Sequence, residues 1–132
     1  MLDFNIRTAR SEDLLFVNLW YETIGERPLE EANIPDTSFI CEVDEVRCLF
    51  VSLILTNTKL AWVECFVGNP SLKGDIRQRA TKYLLEYLES FAKAVECKRL
   101  FCMAPNEPLR DYYEKIGFKE TAKVFTLTKE IF

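Results

Sequence analysis

The clearest candidate for acid–base chemistry in this 132-residue chain is Glu64, which stands alone in an apolar stretch, residues 61–67 (AWVECFV). The chain contains no histidine, so it lacks the commonest general base. A carboxylate placed between Trp62 and Phe66 is suited to accept a proton from an ammonium nucleophile, directly or through water. The competing interpretation is a solvent-facing glutamate with no chemical role.

Tyr113 and Asn106 are the next candidates, in residues 106–118 (NEPLRDYYEKIGF). Asn106 is typical of a helix N-cap, and Gly117 is typical of the left-handed residue that ends a helix. Tyr113 shares one face of the predicted helix with apolar neighbours, so the pattern alone favours a packing role for its ring.

A basic stretch follows the Glu64 strand, at residues 73–82 (KGDIRQRATK). The start of a long helix is predicted there, and helix N-termini attract anions. The basic residues could therefore bind a phosphate group, whereas Asp75 would disfavour one if it pointed inward. A solvated first turn without a ligand is the alternative. The basic residues are Lys73, Arg77, Arg79 and Lys82.

The five cysteines favour neither a disulfide framework nor a metal site. Their number is odd, no pair has CxxC spacing, and no histidine completes a zinc site. We predict reduced, mostly buried thiols and no metal. Cys65 follows Glu64 directly and should point to the opposite face of a strand. A covalent acyl-cysteine route at Cys65 is disfavoured because no histidine can activate the thiol.

Apolar periodicity defines the elements that must position these residues. The order β-α-loop-β-β-β-α-β-α-β predicts an α/β fold with a mixed sheet, helices on both faces, antiparallel hairpins first and a parallel crossover later. Residues 25–36 form the longest irregular stretch. Strands are predicted at 4–9, 37–42, 46–55, 60–67, 99–103 and 119–132. Helices are predicted at 12–24, with Ser11 as N-cap, at 76–96, and between Asn106 and Gly117.

The bulk composition favours one compact domain over residues 1–132, because apolar residues make up 48% of the chain. The net charge of −4 argues against a nucleic-acid partner. The longest apolar stretches, such as 48–55, are too short to cross a bilayer. The N-terminus lacks a basic segment followed by an apolar one, so we predict a cytoplasmic protein with no membrane partner.

The predicted order resembles that of the GCN5-related N-acetyltransferase (GNAT) family, over nearly the whole chain. The sharpest match is 106–118, where the family has an Asn, a Tyr seven residues later and then Glu-Lys-Leu-Gly-Phe. Residues 64–74 (ECFVGNPSLKG) are similar to the family's cofactor-side strand and the loop after it. Pro70, Lys73 and Gly74 fit its Pro-x-x-Arg-Gly run, with Lys in place of Arg.

The sequence departs from the family at the Gln/Arg-x-x-Gly-x-Gly/Ala run that leads into the long helix. Counting back from the Leu84-Leu85 pair places Arg79 and Thr81 at the two small-residue positions. Counting forward from Pro70 places Ile76 and Gln78 there instead. Neither count restores the glycines, which let a diphosphate approach the backbone closely.

The resemblance implies an N-acyltransferase that uses acetyl-CoA as cosubstrate and an amine, from a small molecule or a protein, as acceptor. It assigns Glu64 as the base, the Val67 N–H as the donor to the thioester oxygen, and Tyr113 as the acid that protonates the departing thiolate. The implied cofactor contacts are Phe66, Val67, Lys73, Gly74, Arg79 and Asn106.

Two alternatives stay open at this stage. A GNAT-like domain without catalysis, binding CoA or a protein partner, is favoured by the missing glycines, since a fold does not guarantee an activity. A homodimer through the predicted final strand, residues 124–131, is a further hypothesis. The resemblance implies that the acceptor side is formed by the first helix, the 25–36 loop and the last hairpin. The first two carry Trp20, Tyr21, Glu26 and Glu30.

Overall fold

The computed structural model describes residues 2–104 and 106–131. The chain divides after Cys102 into two compact units, and the single-domain interpretation over 1–132 stays a prediction. Among the described residues the first unit holds five strands, two α-helices and a 3₁₀ helix, and the second holds one α-helix. The strands are β1 (Phe4–Thr8), β2 (Ser38–Val43), β3 (Val46–Leu55), β4 (Leu60–Gly68) and β5 (Arg99–Cys102). The helices are α1 (Asp13–Thr23), the 3₁₀ helix (Glu31–Asn33), α2 (Gly74–Ala94) and α3 (Glu107–Lys115).

The strands of the first unit form one sheet in the order β1-β2-β3-β4-β5. The first three pairs are antiparallel, and β4 pairs with β5 in parallel through the α2 crossover. Asp44 and Glu45 turn the chain between β2 and β3 with φ values of 49° and 68°, as a tight hairpin turn requires. The predicted mixed sheet, its hairpins and its parallel crossover are confirmed.

The two helices of this unit pack on opposite faces of the sheet. On α1, Val17, Trp20 and Tyr21 join a buried cluster with Ile40, Phe50 and Val67 of the sheet. Phe39 neighbours Ile40 on β2 and therefore points to the other face. There its ring meets Tyr87 and Phe91 of α2 edge-on, with centroids 5.3 Å and 5.4 Å apart. Helices on both faces were predicted, and the structure confirms them.

The start of α1 is fixed by a buried carboxylate rather than by the predicted Ser11 cap. Glu12 occupies the N-cap position in a helical conformation and makes no side-chain cap hydrogen bond. Ser11 instead donates through Oγ to Glu31, 2.7 Å away, in the 3₁₀ helix. The Asp13 carboxylate accepts the Arg10 backbone N–H at 2.7 Å. The prediction that Ser11 caps this helix was therefore wrong, because the Asp13 carboxylate, and not the Ser11 hydroxyl, accepts a backbone N–H at this turn.

Asp13 also ties α1 to two strands. Its carboxylate is fully buried and accepts two hydrogen bonds from Arg7 of β1, each 2.8 Å long, and one of 2.7 Å from Arg47 of β3. Burial opposes ionisation, but the hydrogen bonds from Arg7 and Arg47 outweigh it, so the pKa of Asp13 lies well below its usual range. Arg47 in turn lies over the Phe16 ring, 4.0 Å from its centroid.

The helix limits agree with the sequence predictions to within two residues at each end of α1 and α2. Leu84 and Leu88 of α2 are fully buried, whereas Val95 lies beyond the helix and is exposed. No helix within the described residues is both long enough and apolar enough to cross a bilayer.

The final strand predicted over 119–132 is absent from residues 119–131, and Phe132 lies outside the described residues. The prediction is therefore wrong for the part described. Phe125, Leu127 and Ile131 are more than nine-tenths exposed. Alternating apolar residues satisfy one requirement of a strand, but a strand also needs a partner for its N–H and C=O groups. The sequence pattern does not name that partner.

Replacing Asp13 with Asn is expected to lower the free energy of unfolding at pH 7 by about 3 kcal/mol, since two guanidinium groups lose their buried counter-charge. The pKa of Asp13 is lower in the folded state than the ordinary value of about 3.9. Its stabilisation is therefore complete well above that value and is lost progressively as the pH falls through it toward the lower pKa of the folded state. Urea unfolding followed by tryptophan fluorescence at pH 7 and pH 3 measures both effects.

Glu12→Gln is the matched control, because the Glu12 carboxylate is exposed and only 3.6 Å from an equally exposed Arg10. Its effect should stay below about 0.5 kcal/mol. An Asp13→Asn protein with the same pH dependence of stability as the unmodified chain would contradict the assignment.

Candidate active site

Strand β4 is paired on both sides for only part of its length. It pairs with β3 from Ala61 to Gly68, whereas its described partners on β5 run from Arg99 opposite Leu60 to Cys102 opposite Val63. The backbone of residues 64–68 therefore lacks a described neighbour on the β5 side. Such an edge can pair with an extended ligand.

The same part of β4 contains a bulge. Ser52 lies opposite Glu64 and Phe50 lies opposite Val67, so two residues of β4, Cys65 and Phe66, face one residue of β3. Cys65 has a φ of 58°, in the left-handed region that side chains rarely adopt. A bulge bends its strand and changes the direction of side chains after it.

The bulge corrects the prediction that Cys65 points away from Glu64. Cys65 packs against the α1 cluster, beside the Tyr21 hydroxyl, because the extra residue breaks the strict alternation of the strand. Burial raises the pKa of the Cys65 thiol and the Glu64 carboxylate adds to the rise, whereas Tyr21 opposes it. A thiol in this setting stays protonated and is a poor nucleophile.

Glu64 is half-buried and lies among neutral hydroxyl and thiol groups. Its charge acts on Tyr21, on Cys65 and on Cys102 of β5, whose pKa is raised to about 11 by burial first and by Glu64 second. Glu64 takes part in no ion pair with any residue that the structure describes. The carboxylate therefore sits at the open edge of β4 without a counter-charge.

The turn between β4 and α2 is organised by Arg77. Its Nη2 donates to the Asn69 carbonyl at 3.1 Å and to the Leu72 carbonyl at 3.5 Å, while its Nε is buried without a hydrogen-bond partner. An added Cβ at Gly68, at the start of this turn, would lie 3.0 Å from the end of the Leu49 side chain, which would have to shift by a few tenths of an ångström. Arg77 therefore stabilises the turn by donating hydrogen bonds to two of its carbonyl groups.

The first turn of α2 is open to solvent. Lys73, at the N-cap position, makes no side-chain cap hydrogen bond, and both Lys73 and Gly74 are exposed. An added Cβ at Gly74 would meet nothing within 4 Å. The amides of a helix's first turn have no partners within the helix, so this end can receive an anion.

Arg79 and Thr81, the bulky residues at the expected glycine positions, do not lie in the turn. The Arg79 guanidinium lies over the Phe4 ring of β1, 5.5 Å from its centroid. Thr81 is buried and donates to the Arg77 carbonyl within the helix, at 2.8 Å. The arginine beside the turn is therefore Arg77, and Arg79 is directed toward the other edge of the sheet.

The second unit contains the two remaining candidates, Asn106 and Tyr113. Asn106 caps α3, as predicted, and its side chain accepts the Leu109 N–H at 3.0 Å. Gly117 has a φ of 106°, which confirms the predicted left-handed end. Tyr113 is only 5% exposed and packs edge-on against Phe118 with ring centroids 5.2 Å apart. The catalytic role of Tyr113 stays a prediction.

The cysteines and acidic residues hold no metal centre in the part of the chain that is described. All five cysteines are free thiols, and Cys41 and Cys48 are fully buried. No group of three or more His, Cys, Asp or Glu side chains is arranged around a common point within residues 2–104 and 106–131.

Comparison with known proteins identifies the family. The model of the acetyltransferase (GNAT) family matches residues 11–118, which is most of the chain and includes β4, the turn, α2 and α3. The chain belongs to the GNAT family. No curated protein sequence matches it.

Solved GNAT structures share the fold. The ribosomal-protein-S18-alanine N-acetyltransferase of Escherichia coli superposes with a TM-score of 0.75, is 19% identical, and is covered over 80% of its length by 91% of this chain. A predicted acetyltransferase of Clostridium acetobutylicum, solved with acetyl-CoA, gives a TM-score of 0.64 at 15% identity and 96% coverage of both chains.

A third GNAT structure is much longer than this chain. The N-acetylglutamate synthase of Neisseria gonorrhoeae, solved with coenzyme A and L-arginine, gives a TM-score of 0.72 at 20% identity. The match covers 90% of this chain but only 28% of the synthase. At these identities the likeness establishes the fold and no more.

Sequence reasoning missed the bulge and did not single out Tyr21, beside the bulge, or Arg77, in the turn. Tyr21 was assigned only to the acceptor side in general, and Arg77 was one of four basic residues with equal standing. The apolar pattern of the first helix does not show which of its residues contacts the bulge. The basic residues of 73–82 likewise do not show which of them lies in the turn. The stretch 61–67 contains no glycine, the residue that most often marks a bulge, so the sequence offered no local signal for it.

The left-handed φ of Cys65 predicts an unusual order of stability among its variants. Cys65→Gly should be more stable than Cys65→Ala by about 1 kcal/mol, because a left-handed conformation costs a residue with a Cβ roughly that much. Both variants remove the thiol, so their difference isolates the backbone. Chemical unfolding of the two proteins measures it.

Ala61→Gly, earlier in β4, is the control, since glycine in an ordinary strand position is less stable than alanine by roughly 0.5–1 kcal/mol. The assigned bulge fails if Cys65→Ala proves the more stable of the pair.

Proposed function

We propose that this GNAT chain transfers the acetyl group of acetyl-CoA to the nitrogen of an amine by direct attack. The observation that carries the proposal is the stretch of β4 after Val63. This stretch has no described partner on the β5 side, contains the bulge at Cys65, and carries the Glu64 carboxylate without an ion-pair partner among the described residues. One turn later, α2 begins without a side-chain cap on its N-terminus. These are the features needed to hold an elongated thioester with a diphosphate at one end and a reacting carbonyl at the other.

The pantetheine arm is proposed to lie along the open edge of β4. An extended amide-containing ligand can pair with a strand edge as an added strand does. Phe66 and Val67 would contribute backbone groups, since the Val67 side chain is committed to the core. We assign the Val67 N–H as the donor to the thioester oxygen, where negative charge develops during attack.

The diphosphate is proposed to bind the first turn of α2. The helix dipole and the free amides of that turn favour an anion. Lys73 adds a cation at the mouth of the turn, and the open space beside Gly74 lets a phosphate approach the backbone. Two of the similar structures, from Neisseria gonorrhoeae and Clostridium acetobutylicum, were solved with coenzyme A or acetyl-CoA, which supports the choice of cosubstrate.

The chemical step needs one base and one acid. Glu64 takes the proton of the ammonium group, and the neutral nitrogen attacks the thioester carbonyl carbon. The N–C bond forms, the C–S bond breaks, and coenzyme A leaves as a thiol with a proton donated by Tyr113. The second proton of the attacking nitrogen returns through water to the Tyr113 phenolate, and Glu64 releases its proton to solvent. We further propose that Asn106 contacts the pantetheine in addition to capping α3. Arg79 is omitted from the cofactor contacts because it packs on Phe4.

A non-catalytic role is the second candidate. The Arg77 guanidinium occupies the inside of the turn that follows β4, and the loop lacks the glycines of the family pattern. Such a protein would bind coenzyme A without turnover or bind a protein partner. A homodimer is a separate proposal, supported only by exposed apolar side chains at Val124, Phe125, Leu127 and Ile131.

Lys73→Ala should weaken acetyl-CoA binding about tenfold, the loss expected for one charge-assisted contact. Lys93→Ala is the matched control, because Lys93 is an exposed lysine in the last turn of the same helix and the net charge changes equally. Isothermal titration of both variants with acetyl-CoA measures the difference. Equal affinities would place the diphosphate elsewhere.

Gly74→Ala sharpens the same test. Its Cβ meets nothing in the free protein, so the thermal midpoint should not fall. Acetyl-CoA affinity should nevertheless drop, because the methyl group would occupy the space of the phosphate. An unmodified chain that gives no heat with acetyl-CoA at high micromolar concentration would end the proposal.

Glu64→Gln should reduce kcat/KM about 100-fold while acetyl-CoA affinity stays unchanged, because the variant keeps the shape of the side chain but cannot accept a proton. Glu86→Gln on the exposed face of α2 is the control and should leave the rate unaltered. Release of free thiol in the presence of an amine panel measures turnover. Binding of acetyl-CoA without turnover on any amine would favour the non-catalytic role.

A further inference from the structure

The outer edge of β1 lies at the opposite end of the sheet from β5, apart from the candidate active site. In the described part of the chain no strand pairs with this side of β1. The Asp3 carbonyl accepts a backbone N–H from the β2–β3 turn, and the Ala9 N–H donates to the first residue of β2, both at 2.8 Å. Odd-numbered residues therefore face β2, and the N–H and C=O groups of Phe4, Ile6 and Thr8 point outward.

This edge lacks the proline, the lysine and the bulge that often prevent strand edges from pairing. Residues 4–8 (FNIRT) contain neither of those two residue types. The register between β1 and β2 is regular over the whole strand. The only charged side chain of β1, Arg7, is engaged with Asp13 and Glu42. The edge is therefore able to add another strand.

An aromatic stripe of α2 lies beside the same edge. It consists of Arg79, Tyr83, Tyr87 and Phe91, each four residues after the last. The Tyr83 ring stacks on the Phe4 ring of β1 with centroids 5.5 Å apart. Tyr83 and Tyr87 are nevertheless 44% and 37% exposed. Large aromatic side chains left exposed beside an unpaired strand edge are typical of an interaction surface.

Ring contacts fix the alignment of the stripe with β1. The Phe4 ring contacts the first two residues of the stripe. The ring of Phe39, the partner of Thr8 on β2, contacts the last two. Four residues of strand, about 13 Å, thus match eight residues of helix, about 12 Å. Ile6, at the centre of β1, is therefore level with the middle of the stripe.

We propose that the occupant of this edge is a second copy of the chain, with its β1 antiparallel to the first about a two-fold axis at Ile6. In this register the two Ile6 residues exchange two backbone hydrogen bonds, and Phe4 of each copy exchanges two with Thr8 of the other. Every outward backbone group of these residues is then paired. The Thr8 carbonyl also accepts Arg7 Nη1 at 3.3 Å and has a second lone pair for this bond.

The same axis places the two aromatic stripes opposite each other. Helix α2 contacts β1, β2 and β3, so it lies over β2. Two copies joined at β1 hold their α2 helices three strand spacings, about 14 Å, apart. Direct helix packing needs about 8–10 Å. The gap requires long side chains, which the stripe supplies.

The charges on this flank of α2 are complementary to those of a second copy. Arg79, Tyr83 and Glu86 share one face, at positions i, i+4 and i+7. Neither Arg79 nor Glu86 takes part in an ion pair among the described residues. Because the two helices are antiparallel, Arg79 of each copy is directed toward Glu86 of the other.

Charge reversal tests the pairing of the two copies. Sedimentation of the unmodified chain should give a species of twice the chain mass of 15.4 kDa. Arg79→Glu and Glu86→Arg should each raise the dissociation constant at least about tenfold, because like charges then face each other. An equimolar mixture of the two variants should form the dimer again, since each junction then holds one acidic and one basic side chain. Recovery in the mixture also shows that both variants are folded.

Ile6→Lys should likewise give monomers, because two lysines would lie directly opposite each other across the axis. Ile54→Lys, the same change on β3, is the matched control and should remain dimeric. The double variant Phe125→Ser, Leu127→Ser should remain dimeric too, which separates the β1 edge from the apolar segment 124–131. Acetyl-CoA affinity should be the same in all these proteins, since the β4 edge lies elsewhere in the sheet.

Three results would overturn the proposal and leave the transferase assignment intact. The first is an unmodified chain that sediments as a single chain up to about 100 µM, too weak for a stable dimer. The second is a mixture of Arg79→Glu and Glu86→Arg that stays monomeric. The third is a dimer that survives Ile6→Lys and is lost in the Phe125→Ser, Leu127→Ser protein.

Discussion

The site depends on one constraint: β4 must satisfy its backbone hydrogen bonds with β3 along its length while β5 stops pairing with it after Val63. A strand in the middle of a sheet is normally closed on both sides. Here the parallel partner ends early, and the bulge at Cys65 and Phe66 begins where it ends. The combination leaves residues 64–68 of β4 as a strand edge beyond the end of β5.

The left-handed Cys65 persists because its surroundings hold it. Its side chain packs among Tyr21 and the α1 cluster, and the chain on either side is fixed by pairing, Ser52 with Glu64 and Phe50 with Val67. A conformation that costs about 1 kcal/mol or more locally survives when packing on both sides over-determines it. The cost is local, and the consequence is that the Cys65 side chain packs on the α1 cluster instead of alternating to the other face.

Charge is divided between two roles in the first unit. Asp13 is fully buried and engages Arg7 and Arg47, so its negative charge is neutralised and its work is structural. Glu64 takes part in no ion pair among the described residues, so its charge is not neutralised there.

The sequence by itself determined the elements. Period-two and helical repeats, the Asp44-Glu45 turn, the Asn106 cap and Gly117 are local signals, because each depends on residues close together in the chain. The GNAT pattern of residues 106–118 identified the family. Tertiary structure alone decided the bulge, the choice of Arg77 over Arg79 at the turn, the replacement of Ser11 by Asp13, and the absence of a strand at 119–131. Each of those depends on a partner distant in sequence, and the local pattern does not encode where that partner lies.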